Sequence, residues 1–168
     1  MKLLKTLVLL CLCSFAVFAF MPQTEELLSQ VPKTREEFVE SEKKTIATID
    51  WLENTPIHEQ TEKRKKLNAL LLAWITNSPT VTIELQAELL EFSKKNNALL
   101  MYYMGGWTKY ALLNNYSTDQ LKCNLAALRS VCKAYKTGDF TKDKNVQKLL
   151  DLDEKGKLEG WIQKQLAK

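Results

Sequence analysis

Apolar residues recur at steps of three and four along most of the chain after Thr34, with polar residues between them. This spacing places apolar side chains on one face of a helix, so it predicts a succession of amphipathic helices. Clusters of Asn, Ser, Thr and Pro interrupt the pattern and mark the connections. The predicted helices cover residues 34–54, 57–76, 82–95 and 99–114, a segment from the cap at 117–119 to Gly138, a short helix ending near Leu152, and residues 154–166.

The order and spacing of these elements predict the fold class. Helices joined by short connections are typical of an antiparallel helical bundle or of stacked helical hairpins. We therefore predict an all-α fold of six to seven helices. A solenoid of repeated helical pairs is the weaker alternative, because Trp74 and Trp107 lie 33 residues apart but the residues around them do not repeat.

The helix that follows the cap at 117–119 has the most regular apolar face of the chain. Two cysteines on this helix, Cys123 and Cys132, lie nine residues apart, which corresponds to about 13 Å of helical rise. A disulfide requires Cα atoms within about 7 Å, so we expect both cysteines to be free. The apolar face consists of Leu121, Leu125, Leu128, Cys132 and Tyr135, which we expect to be buried together.

The N-terminal residues have the pattern of a signal peptide. Lys2 and Lys5 precede an apolar run over 7–20, and Val17-Phe18-Ala19 provides a cleavage site after Ala19. We predict a signal peptide over 1–19, an extended tether over 20–33 and one helical domain over 34–168. An uncleaved membrane anchor is the alternative, although the run is short for a membrane span of about 20 residues.

The charge distribution indicates which partners are improbable. The net charge of +4 falls to +2 when Lys2 and Lys5 are removed, and a nucleic-acid partner requires a clustered basic face. The run EKRKK over 62–66 is interpreted as a solvated helix face. The basic, amphipathic segment 154–168 is expected to close the core, with contact to a membrane surface as the weaker alternative.

Residues for metal or nucleophilic chemistry are few. His58 is the only histidine, and together with Glu62 it offers at most half of a zinc site. No serine lies in a nucleophile-elbow motif, and no glycine loop of the phosphate-binding type is present. Asp50, between Ile49 and Trp51, is the carboxylate with the most apolar neighbours, but we interpret it as a solvated helix residue. We therefore predict no metal, no cofactor and no catalytic residues.

The stretch MYYMGGWTKYALLNN, residues 101–115, is the best candidate for a ligand or partner site. Two adjacent glycines inside a helix cost about 1 kcal/mol each relative to alanine, which requires a compensating role. Close contact with a neighbouring helix is the favoured role, and the floor of a pocket walled by amphipathic aromatic rings is the alternative. The candidate site residues are Tyr102, Tyr103, Gly105, Gly106, Trp107 and Tyr110.

The runs YMGGWTKYALLNNYS and KLLDLDEKGKLEGWI resemble sequences of small exported helical bacterial proteins of uncharacterised function. That resemblance implies an exported all-helical protein and assigns no functional residue. We expect a periplasmic or secreted binding or adaptor module without catalysis, with a protein, a peptide or a small amphipathic ligand as its partner. The alternative is a small hydrolase-like enzyme that uses carboxylates and tyrosines near residues 101–116.

Overall fold

The computed structural model describes residues 26–168, which form six α-helices, two short 3₁₀ helices and no strands. The helices pack against one another, which confirms the predicted all-α helical bundle. The predicted signal peptide and the first part of the tether lie outside the described residues. The α-helices are α1 (Arg35–Asn54), α2 (Thr61–Asn77), α3 (Leu99–Leu113), α4 (Gln120–Tyr135), α5 (Lys144–Glu154) and α6 (Leu158–Leu166).

Side-chain caps start α1 and α4 where the sequence predicts. The Thr34 hydroxyl accepts a hydrogen bond from the Glu37 backbone N–H at 3.3 Å, and the Glu37 carboxylate accepts one from the Lys33 N–H at 2.7 Å. In the same way, Asp119 accepts a bond from the Lys122 N–H at 3.0 Å at the start of α4. These bonds satisfy N–H groups that have no partner inside the helix.

The predicted helix over 82–95 is wrong. The chain instead forms two 3₁₀ helices, Ala87–Leu89 and Glu91–Lys94, separated by a non-helical Leu90 with φ −101° and ψ 7°. Leu89, in the first 3₁₀ helix, and Phe92, in the second, are both buried. Leu85 lies before the first 3₁₀ helix and is 50% exposed.

Two predicted helix starts are also wrong. Residue Gln60 has a left-handed φ of 46°, so α2 begins at Thr61 and not at residue 57. Likewise, α5 continues to Glu154 and is closed by Gly156 at φ 66° and by a 2.8 Å bond from the Lys157 N–H to the Leu152 carbonyl. This is a glycine-based helix end, and it moves the start of α6 to Leu158.

Helix α3 occupies the centre of the bundle and contacts α1, α2 and α4, with its closest contact to α4. On the other side, α4 contacts α5 and α6. Of the apolar face predicted on α4, Leu125, Leu128 and Cys132 are buried, whereas Leu121 and Tyr135 are half-buried. Cys123 and Cys132 form no disulfide among residues 26–168, as the helix geometry predicts, and both are buried.

The extended segment before α1 lies against the bundle. The Leu28 side chain is 4% exposed, and its backbone N–H donates to the Thr48 hydroxyl at 2.9 Å. Thr48 lies on α1 and is completely buried. This contact covers one face of α1 with the residues that precede it.

Candidate functional site

The aromatic residues of the predicted site lie mainly in the core. Tyr102 is 8% exposed, Tyr103 0% and Trp107 2%, while Tyr110 is half-buried. The rings of Tyr103 and Trp107 lie 6.3 Å apart, and Tyr103 also packs on Phe92 at 5.8 Å. This cluster holds α3 inside the bundle and leaves no open cleft between its rings.

The two buried tyrosine hydroxyls are occupied by hydrogen bonds. Tyr103 donates to the Asn124 side-chain carbonyl, and Tyr102 accepts from the Arg64 guanidinium at 3.1 Å. Burial raises the pKa of both tyrosines above the ordinary value, so their hydroxyls stay protonated at neutral pH. Both hydroxyls are therefore part of the packed core.

The adjacent glycines face two different helices. A Cβ atom at Gly106 would lie 2.7 Å from the Ser130 Cβ and 2.9 Å from the Ala126 carbonyl oxygen, both on α4. A Cβ atom at Gly105 would lie 3.3 Å from the Ile49 side chain on α1. Gly106 therefore permits close contact between α3 and α4, which is the role that the sequence favours for this pair.

Gly106 and Tyr110 also border a shallow surface hollow of about 300 Å³ between α3 and α4. Its cations have carboxylate partners: Lys109 bonds Asp50, and Lys133 lies 3.2 Å from Glu53. The Asp50 side chain is 35% exposed, in keeping with a surface helix residue. The hollow presents neutralised ion pairs, and it has little charge left for a ligand.

The interpretation of residues 62–66 as a solvated face is wrong at Arg64, which is 6% exposed. Its guanidinium donates to the Leu52 carbonyl at 3.2 Å, to the Pro56 carbonyl at 3.3 Å and to the Thr55 carbonyl. These carbonyls lie at or just after the C-terminal end of α1, where the helix dipole favours a cation. The other four residues of the run are exposed, as expected.

A second hollow lies between the C-terminal end of α4 and the start of α5 and has a volume of about 700 Å³. We call it the lysine hollow. Its volume is in the range of small-molecule sites, which span about 300–1,000 Å³. The residues that line it are Lys95, Tyr135, Gly138, Phe140, Lys142, Asp143, Lys144 and Gln147.

The wall of the lysine hollow is aromatic. The rings of Tyr135 and Phe140 stack at 6.4 Å with an interplanar angle of 23°, and both residues are half-buried. The ring centroids of Phe140 and Tyr102 lie 6.0 Å apart with the planes nearly perpendicular, which joins this wall to the buried aromatic cluster. Of the six site residues predicted from the sequence, Tyr102 thus supports the lysine hollow from behind, although it does not line it.

Hydrogen bonds hold the loop that forms the hollow. The Asn96 side chain accepts from the Thr141 N–H at 3.0 Å and donates to the Thr141 carbonyl at 2.9 Å. The Tyr135 hydroxyl accepts from the Asp143 N–H at 2.7 Å. Gly138, with φ 83°, is the left-handed residue of the turn after α4, where the predicted helix ends.

The charges around the lysine hollow are not neutralised within the described part of the chain. Lys95, Lys142 and Lys144 are exposed and form no ion pair with any residue from 26 to 168. Asp143 is 3% exposed, and its Oδ1 atom accepts from the Asn145 N–H at 2.8 Å, which caps α5. Its Oδ2 atom is buried without a hydrogen-bond partner among the described residues.

Residues that could serve metal or nucleophilic chemistry are dispersed. Among residues 26–168, no group of three His, Cys, Asp or Glu side chains is placed to hold a metal ion. His58 precedes α2 and lies 3.2 Å from Asp139, so it does not share a helix face with Glu62. Burial raises the pKa of Cys123 to about 11 and that of Cys132 to about 12, so both are neutral thiols near pH 7.

No protein-family model, no curated protein and no solved structure matches this chain. Among the helices of residues 26–168, none has both the length and the apolar character needed to span a membrane.

Proposed function

We propose that this chain is an exported helical binding module without catalysis, and that it binds a small anionic ligand with an aromatic part in the lysine hollow. One observation carries the proposal: Lys95, Lys142 and Lys144 surround the half-buried Tyr135–Phe140 pair and make no ion pair within residues 26–168. Unpaired cations attract an anion, and the ring faces offer apolar area to the rest of the ligand.

The shape and charge of the lysine hollow favour a small molecule over the other partners expected from the sequence. A hollow of about 700 Å³ suits a ligand of modest size. Lysines on flexible stems bind carboxylate or phosphate groups as point charges and do not require a fixed geometry. Because the lysines are exposed, the interaction is screened by salt.

The alternative function, a small hydrolase-like enzyme that uses groups near residues 101–116, has less support. Tyr102 and Tyr103 are buried with occupied hydroxyls, so they do not face a substrate. Of the nearby carboxylates, Asp50 is paired with Lys109, and Glu53 with Lys133. A role for the last helix at a membrane surface is also disfavoured, because Leu158 and Ile162 are buried in the core.

Export is part of the proposal and rests on Lys2, Lys5 and the apolar run before Ala19. When the full chain is expressed in a bacterium, we expect the protein in the exported fraction to begin at Phe20. N-terminal sequencing of that fraction measures this directly. Exported protein that still begins at Met1 would contradict cleavage, and protein confined to the cytoplasm would contradict export.

Binding is tested with 3-phenylpropionate, a probe with one carboxylate and one aromatic ring. We expect saturable binding by isothermal titration calorimetry, weakened when salt rises from about 50 to about 500 mM. The double change Lys142→Gln and Lys144→Gln removes two of the three cations of the hollow. It should weaken binding by about three- to tenfold, since exposed charge contacts contribute up to about 1 kcal/mol each.

Lys155 and Lys157 provide a matched control, because they are exposed, lie outside the hollow and form no ion pair within residues 26–168. The double change Lys155→Gln and Lys157→Gln makes the same change in net charge and should leave binding unaltered. An equal loss in both double variants would show that only net charge matters. That result, or the absence of saturable binding, would overturn the proposed site.

A further inference from the structure

We propose that the ligand of the lysine hollow is a zwitterion, an aromatic amino acid or a close relative, whose ammonium group binds the Asp143 carboxylate. This inference rests on the proposed function, which gives the ligand a negative charge, and it assigns the ligand a positive charge as well. It depends on the one buried oxygen of the hollow that the described residues leave without a partner, the Oδ2 atom of Asp143.

An unpartnered carboxylate oxygen is a costly feature of a protein interior. Asp143 is 3% exposed, yet only its Oδ1 atom has a hydrogen-bond donor, the Asn145 N–H at 2.8 Å. Leaving a buried charged acceptor unsatisfied costs more than the typical 1–3 kcal/mol of a neutral group. A ligand that supplies a donor to Oδ2 removes that cost, so its binding is strengthened at this atom.

Groups of the chain near Asp143 do not supply this donor. The Tyr135 hydroxyl contacts the Asp143 backbone, where it accepts the N–H at 2.7 Å. Lys142 and Lys144 adjoin Asp143 in sequence, but both are exposed and neither pairs with it. Asp143 therefore lines the hollow and holds one carboxylate oxygen, Oδ2, that is buried and has no donor among the described residues.

The negative charge of the Asp143 carboxylate favours a positively charged hydrogen-bond donor. An ammonium group forms a charge-assisted hydrogen bond to a carboxylate, which is roughly twice as strong as a bond between neutral groups. In the sequence Lys142-Asp143-Lys144, a cation stands on either side of the anion. A molecule with adjacent ammonium and carboxylate groups matches this alternation, and its ring has the Tyr135–Phe140 wall to pack against.

Three probes of similar shape isolate each charge: L-phenylalanine has both groups, 3-phenylpropionate lacks the ammonium group, and 2-phenylethylamine lacks the carboxylate. We expect the unaltered protein to bind L-phenylalanine about tenfold or more tighter than 3-phenylpropionate, as a hydrogen bond between charged groups implies. The amine alone should bind more weakly than L-phenylalanine, because the lysines repel it. Calorimetry gives all three dissociation constants.

The Asp143→Asn variant tests the carboxylate while the fold is kept. Asparagine caps a helix about as well as aspartate, so α5 keeps its first turn. We expect this variant to lose the tenfold preference for L-phenylalanine and to bind 3-phenylpropionate at least as tightly as before, since a negative charge is gone. Asp119→Asn, the same change at the cap of α4 outside the hollow, should alter neither affinity. Asp143→Ser, which also caps, replaces Asp143→Asn should the latter fail to fold.

The outcomes separate this inference from the proposed function. If 3-phenylpropionate binds and depends on Lys142 and Lys144, but L-phenylalanine binds no tighter, the hollow is an anion site and the zwitterion is wrong. If the preference persists in Asp143→Asn, another group holds the ammonium and the role of Asp143 is wrong. If none of the probes binds, the proposed site and this inference both fail.

Discussion

Replacing Gly106 by alanine is expected to lower the free energy of unfolding by about 1–3 kcal/mol, the range found when a packed interior is overfilled. The added Cβ would lie 2.7 Å from the Ser130 Cβ, 2.9 Å from the Ala126 carbonyl oxygen and 3.0 Å from the Ala127 Cα. Two of these atoms belong to the α4 backbone, so the clash is relieved only if α3 and α4 move apart. Alanine gains about 1 kcal/mol in helix propensity over glycine, which does not compensate for the free energy lost when the two helices separate.

The neighbouring residue is the matched control. A Cβ at Gly105 meets only the Ile49 side chain, at 3.3 Å, and a side chain can shift by a few tenths of an ångström. We expect Gly105→Ala to change the free energy of unfolding by less than about 1 kcal/mol. The higher helix propensity of alanine and the close contact of its Cβ with Ile49 nearly cancel. Urea denaturation of the two variants measures the difference. Equal stability of both would show that the contact between α3 and α4 does not depend on Gly106.

Replacing Arg64 by methionine is expected to lower the free energy of unfolding by about 2–4 kcal/mol, because buried acceptors then lose their donor. The guanidinium bonds the carbonyls of Leu52, Thr55 and Pro56 and the Tyr102 hydroxyl. Methionine fills a similar volume and donates no hydrogen bond. The buried Leu52 carbonyl at the end of α1 then loses this donor, whereas the Pro56 carbonyl keeps the Glu59 N–H at 3.0 Å.

Two further variants identify the cause. Lys65→Met removes a cation from the exposed neighbour of Arg64 and should change stability by less than about 0.5 kcal/mol. Arg64→Lys keeps the charge but loses the planar fork that reaches several carbonyls, so its loss should be intermediate. Thermal and urea denaturation of the three proteins provide the comparison. An Arg64→Met protein as stable as Lys65→Met would rule out a structural role for the guanidinium.

Helices with local signals at their ends were predictable from the sequence. Thr34 with Glu37 and Asp119 with Lys122 form caps within four residues, and Gly138 marks the end of α4, so α1 and α4 were placed nearly to the residue. The glycines of α3 were also interpreted correctly as a packing feature. Their individual partners, Ile49 and Ser130, could not be predicted, because each lies on a different helix.

Features that depend on distant residues were not predictable from the sequence. Arg64 stands in a run of exposed charges, and its burial depends on carbonyls that only the folded α1 brings together. The lysine hollow combines Lys95 with Lys142 and Lys144, which are remote in the chain. The local signal there was Asp143 between two lysines at a helix start. Aspartate is a common helix cap, but nothing in the sequence showed that one oxygen of Asp143 would be buried without a partner among the described residues.

Asn96 and Thr141 lie 45 residues apart and share two hydrogen bonds, so the wall of the lysine hollow is tied to the bundle before any ligand arrives. Ordering one backbone residue costs about 1–2 kcal/mol of conformational entropy at room temperature. This loop is already ordered in the folded protein, so binding of the proposed ligand would not have to order it. The affinity of the ligand proposed for this hollow would therefore not be reduced by the ordering of this loop.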